Sequence, residues 1–404
     1  MGRGVYTDGL FAVSHAPTSL SGLTDGPFTP AERAAMGRAV ALARLGSPSP
    51  NPAVGAVVLR GDATVGAGYH RAAGGPHAEV EALREAGHHA RGSTVVVTLE
   101  PCNHHGRTPP CTEALAAAGV SRVIFACRDP NPHVSGDGEA RLRAAGIDVV
   151  VGFDPDGQRE AEALLGPWAT FITRGRSHVT LKVGMSLDGR IATRTGASQW
   201  ITSPASRADA HALRAGADAV LVGSVTVRAD DPALTVREAP LRQGRAPVRV
   251  VVDSALTLPR DAALVRTARD VPTWVLCRAG ADPDRVRALT DAGVVVLGVD
   301  GALDGAHIDL EAALRALAAR GVVSVLCEGG GGLHGALRDA SLADRVVCYV
   351  APMLLGGRGA VSAFGGVGAE TLADATRLGP WHIERVGPDL RLVAEVVRDV
   401  HRDR

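Results

Sequence analysis

The most informative part of this chain runs from His77-Ala78-Glu79 to Pro101-Cys102 and Cys111. An apolar segment, Ser93–Leu99, comes just before the first cysteine and is predicted to be a buried strand. Both thiols therefore follow a strand, at the edge where open α/β sheets place their ligands. One imidazole and two thiols suit zinc, and three such ligands leave its fourth tetrahedral position open. The run predicts a zinc site at the edge of an α/β sheet.

Glu79 gives this zinc site a catalytic interpretation. Residues two apart on an ideal helix are rotated by about 200°, so His77 and Glu79 share a side only if His77 lies in an irregular first turn. Glu79 would then act as general acid and base on a water molecule without binding the metal. The order His-x-Glu, then Pro-Cys and a second Cys, is the signature of zinc nucleobase deaminases. We predict hydrolytic removal of an exocyclic amine from a heterocycle.

A structural zinc site is the alternative, because His104 or His105 would supply a fourth ligand. Glu79 argues against it, since a structural site has no use for a carboxylate beside the ligating histidine. The cysteine spacing also departs from the general signature, because residues 103–110 separate the two thiols instead of two residues. This loop carries His, Arg and Thr, which suit a sugar phosphate; its other interpretation is a solvated loop.

Composition limits the classes of partner. The chain has 404 residues, enough for two domains with full cores. Its 46% hydrophobic and 21% charged residues are typical of a globular protein. The formal net charge is +0, which argues against nucleic acid as a partner and against a polynucleotide deaminase. Lys182 is the only lysine among 43 Lys and Arg residues, and its ammonium group has a pKa that proteins shift readily.

The remaining cysteines give no sign of a second metal site. Cys127, Cys277, Cys327 and Cys348 lie in apolar runs and are expected to be small buried side chains. No apolar run approaches the length of a membrane span, and no secretory segment is recognisable. We expect a cytoplasmic protein with reduced thiols and no membrane partner.

Strand and helix patterns divide the chain into two α/β domains. Residues 1–28 are expected to be a disordered extension, and Thr29 with Glu32 forms a capping box that begins the first helix. The first domain is predicted over residues 29–172 and the second over 177–404, separated by the Gly/Arg-rich segment 173–176. A β-hairpin is predicted over about residues 382–398.

A glycine-rich turn marks a second candidate site. Strand Val323–Leu326 and Glu328 precede four glycines, Gly329–Gly332, which lead into a predicted helix. Unhindered amides at a helix N-terminus form an anion site. The pattern is not Gly-x-Gly-x-x-Gly, so by itself it is weak evidence for a dinucleotide.

Nine runs carry a resemblance that extends over about residues 30–400: Pro50–Gly55, Gly68–His70, Pro76–Val80, Thr98–Cys111, Asp129–Val134, Leu181–Arg190, Ser198–Ser203, Ala229–Arg237 and Glu328–Gly330. They resemble the bifunctional riboflavin-biosynthesis family, in which a pyrimidine deaminase is fused to a pyrimidine reductase. Asn103, where Ser is expected, and Arg228, where an apolar residue is usual, depart from the pattern.

The resemblance implies a fold and a chemistry. The fold would be α/β, with a cytidine-deaminase-like α/β/α domain followed by a dihydrofolate-reductase-like α/β domain. The first domain, with one zinc ion, would hydrolyse the 2-amino group of 2,5-diamino-6-ribosylamino-pyrimidinone 5′-phosphate. The second would reduce the ribosyl chain to ribityl with NADPH. Paired domains of this kind often associate, so a homo-oligomer (a dimer or tetramer) is expected.

The same resemblance assigns site residues. His77, Cys102 and Cys111 would bind zinc, Glu79 would be catalytic, and Asn51 and His70 would line the deaminase pocket. The residues expected to contact NADPH are Gly184, Trp200, Thr226, Asp230, Gly330, Gly331, Gly332, Leu333, His334, Gly335 and Ala336. The residues expected on the substrate side are Ser198, Arg214, Leu234, Arg237 and Glu328. From its own position at a strand end near Gly184 and Asp188, we hypothesise that Lys182, with Asp230 or Glu328, assists ribose opening and protonation.

Two other functions remain open from the residues alone. One is a cytidine- or adenosine-type deaminase joined to an unrelated binding domain, which the long cysteine spacing and neutral charge disfavour. The other is a zinc-stabilised nucleotide-binding or regulatory module without catalysis, which Glu79 disfavours. A turnover assay distinguishes the second from an enzyme.

Overall fold

A computed structural model describes residues 28–105, 109–131, 135–302 and 305–397. Two α/β units follow one another along the chain, each built around its own sheet. The expected disordered extension lies outside the described residues except for Phe28. The Phe28 ring is buried and stacks on Phe153 with 4.2 Å between ring centroids. Phe28 therefore belongs to the packed first unit.

The first unit is a three-layer α/β/α structure. Its strands are β1 (Gly55–Arg60), β2 (Ala63–Tyr69), β3 (Thr94–Leu99), β4 (Arg122–Cys127) and β5 (Asp148–Val151). Its helices are α1 (Pro30–Ala43), α2 (Ala78–Ala86), α3 (Cys111–Ala117), α4 (Asp137–Ala144) and α5 (Pro155–Arg174). The strand order is β2-β1-β3-β4-β5, with β3, β4 and β5 parallel. Apolar residues of α2, α3 and α4 pack on one face of this sheet, and those of α1 on the other.

The start of α1 is as predicted, since Thr29 and Glu32 form the complete capping box. Strand β2 was not predicted, because Gly66 and Gly68 make its sequence similar to a turn. A side chain at either position would collide with α2: a Cβ on Gly66 would lie 2.3 Å from the Ala82 carbonyl oxygen. These glycines therefore allow α2 to pack closely on the sheet.

The second unit contains a larger, mostly parallel sheet. Its strands are β6 (His178–Ser186), β7 (Arg190–Ala192), β8 (Ala219–Gly223), β9 (Val248–Val252), β10 (Thr273–Arg278), β11 (Val295–Val299), β12 (Ser324–Cys327), β13 (Arg345–Ala351), β14 (Val361–Ser362), β15 (Arg377–Leu378), β16 (His382–Val386) and β17 (Asp389–Val397). Its helices are α6 (Pro204–Ala215), α7 (Ser224–Asp230), α8 (Ala263–Arg266), α9 (Pro283–Asp291), α10 (Leu310–Ala318) and α11 (Gly331–Asp339).

The strand order of this sheet is β11-β10-β9-β8-β12-β6-β13-β17-β15, and β16 pairs with β17. The strands from β11 to β13 are parallel, and β17 runs antiparallel to β13. The predicted closing hairpin is β16 and β17. Lys182 in β6 and Glu328, which follows β12, lie on adjacent strands of this sheet. None of the helices in the described ranges is long and apolar enough to cross a membrane.

The segment between the two units is ordered and packed. Thr173 and Arg174 continue α5, and Gly175 ends the helix in the left-handed conformation with φ 63°. The buried Arg176 then donates two hydrogen bonds of 2.8 Å to the carboxylate of Asp344. This bidentate pair joins the Gly/Arg-rich segment to the second unit, so the segment is part of the fold rather than a loose tether.

Candidate active sites

The three predicted zinc ligands meet at one point. His77 lies immediately before α2 in an extended conformation, with φ −74° and ψ 162°. Its Nδ1 atom is 3.2 Å from the Cys111 sulfur and 3.5 Å from the Cys102 sulfur. Among the described residues, no other histidine, cysteine or carboxylate joins this group, and all three donor atoms lie within 4.8 Å of one another. One nitrogen and two sulfurs at this spacing fit zinc with an open fourth position.

The extended backbone at His77 explains how Glu79 reaches the same site. His77 stands outside the helix and Glu79 lies in its first turn, so the helical rotation that separates residues two apart does not apply. Glu79 is buried, with 4% of its surface exposed. Burial, together with the nearby Cys102 sulfur, raises the pKa of Glu79 to about 7. A carboxyl group with that pKa can both accept and release a proton near neutral pH.

The two cysteine side chains are hydrogen-bonded to one another. A hydrogen bond from Cys111 to Cys102, assisted by His77, lowers the pKa of Cys102 to about 4, while the pKa of Cys111 is raised. The Cys111 backbone amide also donates to the Cys102 sulfur at 3.4 Å. These contacts favour the thiolate at Cys102, the form that binds metal. The fourth-ligand alternative is not supported, since neither His104 nor His105 joins the three donor atoms among the described residues. His104 lines the adjoining cavity, and the His105 ring lies 3.4 Å from Glu113.

A cavity of about 540 Å³ opens beside these ligands, and Asn51 and His70 line it as expected. The Pro76 carbonyl oxygen lies 2.9 Å from His70 Nδ1, so that nitrogen carries the proton and donates it. His70 Nε2 then accepts from the Asn51 amide nitrogen at 3.1 Å. Burial lowers the pKa of His70, which favours this neutral form. The Asn51 amide is thereby oriented, and its oxygen remains able to accept a hydrogen bond.

Sequence reasoning missed three residues in the wall of this cavity: Glu100, Trp168 and Ile172. The buried Glu100 carboxylate accepts backbone N–H groups from Asp129 at 3.1 Å, Gly136 at 3.1 Å and Glu139 at 3.2 Å. The position of Glu100 directly before Pro101-Cys102 was a signal that could have found it. Trp168 and Ile172 lie on α5, where nothing in the sequence indicates that they face the cavity. Residues 106–108 of the loop predicted to hold a phosphate lie outside the described residues.

The second site is organised around Glu328. Its carboxylate receives two hydrogen bonds from Arg214, from Nε at 2.5 Å and from Nη2 at 2.9 Å. The Lys182 ammonium lies 3.6 Å from the same carboxylate and 5.7 Å from the centre of the Tyr349 ring. Arg214 was expected on the substrate side, but its guanidinium also donates to the Thr235 carbonyl oxygen at 3.0 Å. Its hydrogen-bonding capacity is largely used within the protein.

Two neighbouring cations lower the pKa of Glu328 by more than burial raises it. Burial alone would raise the pKa of this carboxyl group, whereas Lys182 and Arg214 together lower its pKa to about 2. Glu328 is therefore an anion under all ordinary conditions, and it holds the only lysine of the chain within the site. Among the described residues, Lys182 forms no ion pair with Asp230, which is exposed at the end of α7.

The loop that carries Leu234 and Arg237 is attached to α6. The Arg237 backbone amide donates to His211 Nδ1 at 3.3 Å, and Thr235 accepts from Arg214 as described above. Leu234 is buried with φ 52°, while Arg237 is exposed. The structure thus brings Arg214, Glu328 and this loop together. Ser198 is half-buried and is not joined to them by a hydrogen bond within the described part of the chain.

The glycine turn begins helix α11, as predicted. The Gly330 amide donates to Thr226 Oγ1 at 3.1 Å, while Leu333 and His334 amides donate to the Gly330 carbonyl oxygen. The amides of Gly331 and Gly332 begin the helix and have no intrahelical partner. A Cβ on Gly332 would meet nothing within 4 Å. These amides fit the pyrophosphate of a dinucleotide.

Several residues assigned to the cofactor have other contacts. The buried His334 ring lies between the carbonyl oxygens of Ala363 and Cys327, each 3.2 Å away, so its side chain does not face the glycine turn. Gly335 is required for packing, because a Cβ there would lie 2.2 Å from the Gly365 carbonyl. Trp200 is 66% exposed, with the Arg207 guanidinium 4.3 Å from its ring centre. A Cβ on Gly184 would contact Thr202 at 3.0 Å.

The structure also tests the cysteines expected to be buried and the two departures from the family pattern. Cys277, Cys327 and Cys348 are buried as expected, whereas the expectation is wrong for Cys127, which is only half-buried. Asn103 accepts a hydrogen bond of 2.9 Å from the Thr112 hydroxyl, so this substitution keeps a polar contact beside Cys111. Arg228 is exposed and donates to Thr257 at 2.8 Å.

The two sites define a bifunctional class of enzyme, a deaminase joined to a reductase. Two family models match the chain. Residues 30–127 match the cytidine and deoxycytidylate deaminase zinc-binding region, and residues 177–392 match the RibD C-terminal domain. The first match confirms the zinc deaminase prediction. Since the second match covers most of the remaining chain, the alternative of an unrelated binding domain is wrong.

Full-length relatives agree with both models. The chain is 42% identical to the riboflavin biosynthesis protein RibD of Escherichia coli (strain K12), over 88% of this chain and 97% of that protein. It is equally identical to RibD of Bacillus amyloliquefaciens, over 89% of this chain and 95% of the relative. The chain therefore belongs to the RibD family. It is a bifunctional enzyme of riboflavin biosynthesis, with a zinc-binding deaminase domain and an NADPH-dependent reductase domain.

Solved structures confirm the predicted fold class. The structure of Acinetobacter baumannii RibD, form 1, superposes with a TM-score of 0.77 at 37% identity, covering 91% of this chain and 99% of that one. A Thermotoga maritima diaminohydroxyphosphoribosylaminopyrimidine deaminase/5-amino-6-(5-phosphoribosylamino)uracil reductase gives a TM-score of 0.76 at 32% identity, covering 91% of this chain and 99% of that protein. Both units are mixed α/β, in the predicted order.

Proposed function

We propose that the first site removes the 2-amino group of 2,5-diamino-6-ribosylamino-pyrimidinone 5′-phosphate by hydrolysis. The observation that carries this proposal is the buried Glu79 beside the His77, Cys102 and Cys111 donors, at the base of a cavity of about 540 Å³. The T. maritima relative is named as a deaminase of this chemical type. The cavity volume lies within the range usual for small-molecule sites.

Each residue of the first site has a distinct role. His77, Cys102 and Cys111 would hold the zinc ion. Bound there, zinc supplies Lewis acidity that makes a water molecule acidic near neutral pH. Glu79 accepts a proton from the attacking water and delivers it to the departing amine, which leaves as ammonia. The oriented Asn51 amide oxygen accepts a hydrogen bond from the substrate.

We propose that the second site reduces the deaminated product at C1′ of its ribosyl group. The amides of Gly331 and Gly332 would hold the pyrophosphate of NADPH, which would supply the two electrons as hydride. Lys182 lies beside the anionic Glu328 and donates the proton that the ribose ring oxygen needs when the ring opens. Arg214 holds Glu328 in place, and the exposed Arg237 contacts the substrate phosphate.

The remaining assigned residues belong to the proposed cofactor and ribotide positions of this second site. Thr226 and Gly330 are hydrogen-bonded to one another beside the pyrophosphate position, at 3.1 Å. Gly184, Trp200 and Asp230 are assigned to NADPH, and Ser198 and Leu234 to the ribotide. Of the assigned helix residues, Leu333, His334, Gly335 and Ala336 contribute backbone or packing rather than side-chain contacts to the cofactor.

Zinc removal tests the deaminase assignment. Chelation should abolish ammonia release from the ribotide, while NADPH oxidation with the already deaminated compound should continue, and added zinc should restore ammonia release. The variant Glu79→Gln should bind one zinc ion per chain yet release ammonia at least about 100-fold more slowly, since general acid/base catalysis contributes about 10²–10⁴-fold. Unchanged ammonia release in either sample would refute the assignment.

Lys182→Arg tests the reductase assignment, because it keeps the charge but not the compact ammonium group. NADPH oxidation with the deaminated ribotide should fall by about 100-fold, with ammonia release unaffected. An unchanged reductase rate would remove Lys182 from the mechanism.

We further propose that the protein is a homo-oligomer. Apolar side chains are exposed along the last hairpin and the residue before it: Trp381 is 47% exposed, Ile383 59% and Val397 54%. Exposed apolar patches of this kind often mark association surfaces. Light scattering on the purified protein should give a dimer or tetramer mass, and Ile383→Glu should reduce it. A monomer mass for the unaltered protein at working concentration would exclude the proposal.

The domain division and the cellular setting are also proposals. Residues 29–172 and 177–404 are taken as the two domains, supported by the family matches to residues 30–127 and 177–392.

None of the six cysteines forms a disulfide, which suits a cytoplasmic enzyme. The neutral formal charge supports a small-molecule substrate without nucleic-acid or membrane partners. Cell fractionation with antibody detection tests the location.

A further inference from the structure

A hydrogen bond joins the wall of the deaminase cavity to the reductase unit. The Ser49 hydroxyl donates to Asp218 Oδ2 at 3.0 Å, across 169 positions of sequence. Ser49 lies in the segment between α1 and β1, and Asp218 lies immediately before β8 of the second unit. Asp218 is buried, with 7% of its surface exposed. The hydrogen bond between the two units therefore involves a buried carboxylate rather than a solvent-exposed one.

Asp218 is itself fixed to the reductase sheet. The same Oδ2 atom accepts the backbone amides of Val323 at 3.0 Å and Ser324 at 2.9 Å, and the Ser324 hydroxyl at 3.1 Å. Ser324 is the first residue of β12, the strand that ends beside Glu328, and Val323 comes directly before it. With three bonds to one strand, the carboxylate cannot move without disturbing the sheet, so Ser49 is attached to a rigid anchor.

The segment held by this anchor shapes the deaminase cavity. Pro50, Asn51 and Pro52 follow Ser49 directly, and all three line the cavity. The Asn51 backbone amide donates to the Pro48 carbonyl oxygen at 2.9 Å, which closes a turn around Ser49. The Asn51 side chain is oriented from the other side by His70. Asn51 is thus held within its own unit by Pro48 and His70, while the neighbouring Ser49 is held by Asp218 of the other unit.

We propose that Asp218 is a positioning residue for the deaminase reaction: the reductase unit supplies the anchor that holds the Pro50–Pro52 wall of the deaminase cavity. The inference rests on the proposed function of that cavity. A second contact supports it, because the Gln243 amide nitrogen donates to the Leu45 carbonyl oxygen at 3.2 Å, in the same segment. Substrate affinity at the zinc site is therefore set in part by a residue of the other unit.

Two serines that each donate to a buried carboxylate allow a matched test in the full-length, zinc-loaded protein. Ser49→Ala removes the bond between the units, whereas Ser206→Ala removes the bond from Ser206 to Asp389 within the reductase unit. Ser49→Ala should raise the deaminase KM for the ribotide about three- to tenfold, the effect of one lost hydrogen bond, with kcat unchanged. Ser206→Ala should leave this KM unchanged, and Ser49→Thr, which keeps a hydroxyl, should restore it.

Hydrogen exchange of the backbone amides of residues 47–55 is a second readout that needs no turnover. It should be faster in Ser49→Ala than in Ser206→Ala. Equal KM values and equal exchange in the two variants would overturn the proposal. So would a parallel fall of both enzyme activities in Ser49→Ala, since that result would describe a general structural contact. If the unaltered protein releases no ammonia from the ribotide, the proposed function fails, and the exchange comparison still decides the positioning role.

Discussion

Arg214 and Glu328 form a bidentate pair inside the reductase site, although they are 114 positions apart in sequence, with N···O distances of 2.5 and 2.9 Å. Arg214 lies on α6 and Glu328 follows β12, so the pair joins a helix to the end of a central strand. Lys182 lies on the open side of the same carboxylate, at 3.6 Å. The position of the proposed proton donor therefore depends on the Arg214–Glu328 pair.

Arg214→Lys should disable the reductase selectively. A lysine cannot form two parallel hydrogen bonds to Glu328, so the carboxylate loses part of its anchoring and Lys182 loses its alignment. We expect kcat/KM for NADPH oxidation to fall about 10- to 100-fold, from a loss of about 1.5–3 kcal/mol in charged hydrogen bonds. Ammonia release in the same sample should not change. Arg287→Lys, at an exposed position, is the matched control, and a reductase loss below twofold would contradict the role of Arg214.

The depressed pKa of Glu328 predicts an acid-dependent contribution to stability. Its folded pKa of about 2 lies below the unfolded value of about 4.3. A group with a lowered folded pKa stabilises the native state above the unfolded pKa, and this contribution, about 3 kcal/mol, is lost as pH falls toward 2. The free energy of unfolding of the unaltered protein should therefore exceed that of Glu328→Gln at pH 7, with the difference shrinking below about pH 4.

Denaturant titrations of the two proteins at several pH values measure that difference. The same experiment on Glu311→Gln, an exposed residue paired with Arg315, provides a control that should show little pH dependence. A difference between the unaltered protein and Glu328→Gln that stays constant from pH 7 to pH 3 would be inconsistent with the lowered pKa.

Glu100→Gln should weaken substrate binding at the zinc site without removing the metal. The carboxylate accepts three backbone N–H groups from the segment that includes Asp129 and Glu139, whereas an amide has a single accepting oxygen. At least one buried N–H then loses its partner, at a cost of about 1–3 kcal/mol. We expect the deaminase KM to rise about tenfold. Glu85→Gln, which affects one exposed contact to Ala67, is the control. Loss of zinc from the Glu100→Gln protein would contradict this prediction, because Glu100 would then support the metal site rather than substrate binding.

Gly332→Ala should weaken NADPH binding without lowering the stability of the fold. A Cβ at Gly332 meets no atom within 4 Å, and the residue lies in α11, so alanine should raise stability by up to about 1 kcal/mol. The methyl group would nevertheless obstruct approach to the N-terminal amides, and KM for NADPH should rise. Gly37→Ala, in the equally open helix α1, should stabilise the protein without affecting NADPH. An unchanged KM for NADPH in Gly332→Ala would contradict the pyrophosphate assignment.

The zinc site was predictable because its geometry is local to two chain segments. His77 before one helix, Cys102 after a strand and Cys111 at the start of the next helix form a pattern with few alternatives. The capping box of Thr29 and Glu32 was predictable for the same reason, since its contacts span only three residues. Contacts between residues that are close in sequence can be predicted from the sequence pattern alone.

Contacts between distant segments were not predictable. Arg214 and Glu328 were both assigned to the substrate, yet nothing in their spacing indicated that they bind one another. Trp168 and Ile172 reach the deaminase cavity only because α5 folds back across the first unit. Ser49 and Asp218 become neighbours only when both units are packed. Such contacts depend on tertiary packing, which a single sequence does not display.

Product masses after incubation with the diamino-pyrimidinone ribotide test the central claim most directly. Without NADPH, the zinc-loaded protein should exchange one amine for oxygen and do nothing more. With NADPH, the same product should gain two hydrogens, and Glu79→Gln should yield neither change. Reduction that precedes deamination, or no change in a zinc-replete sample, would contradict the account of two sites acting in this order.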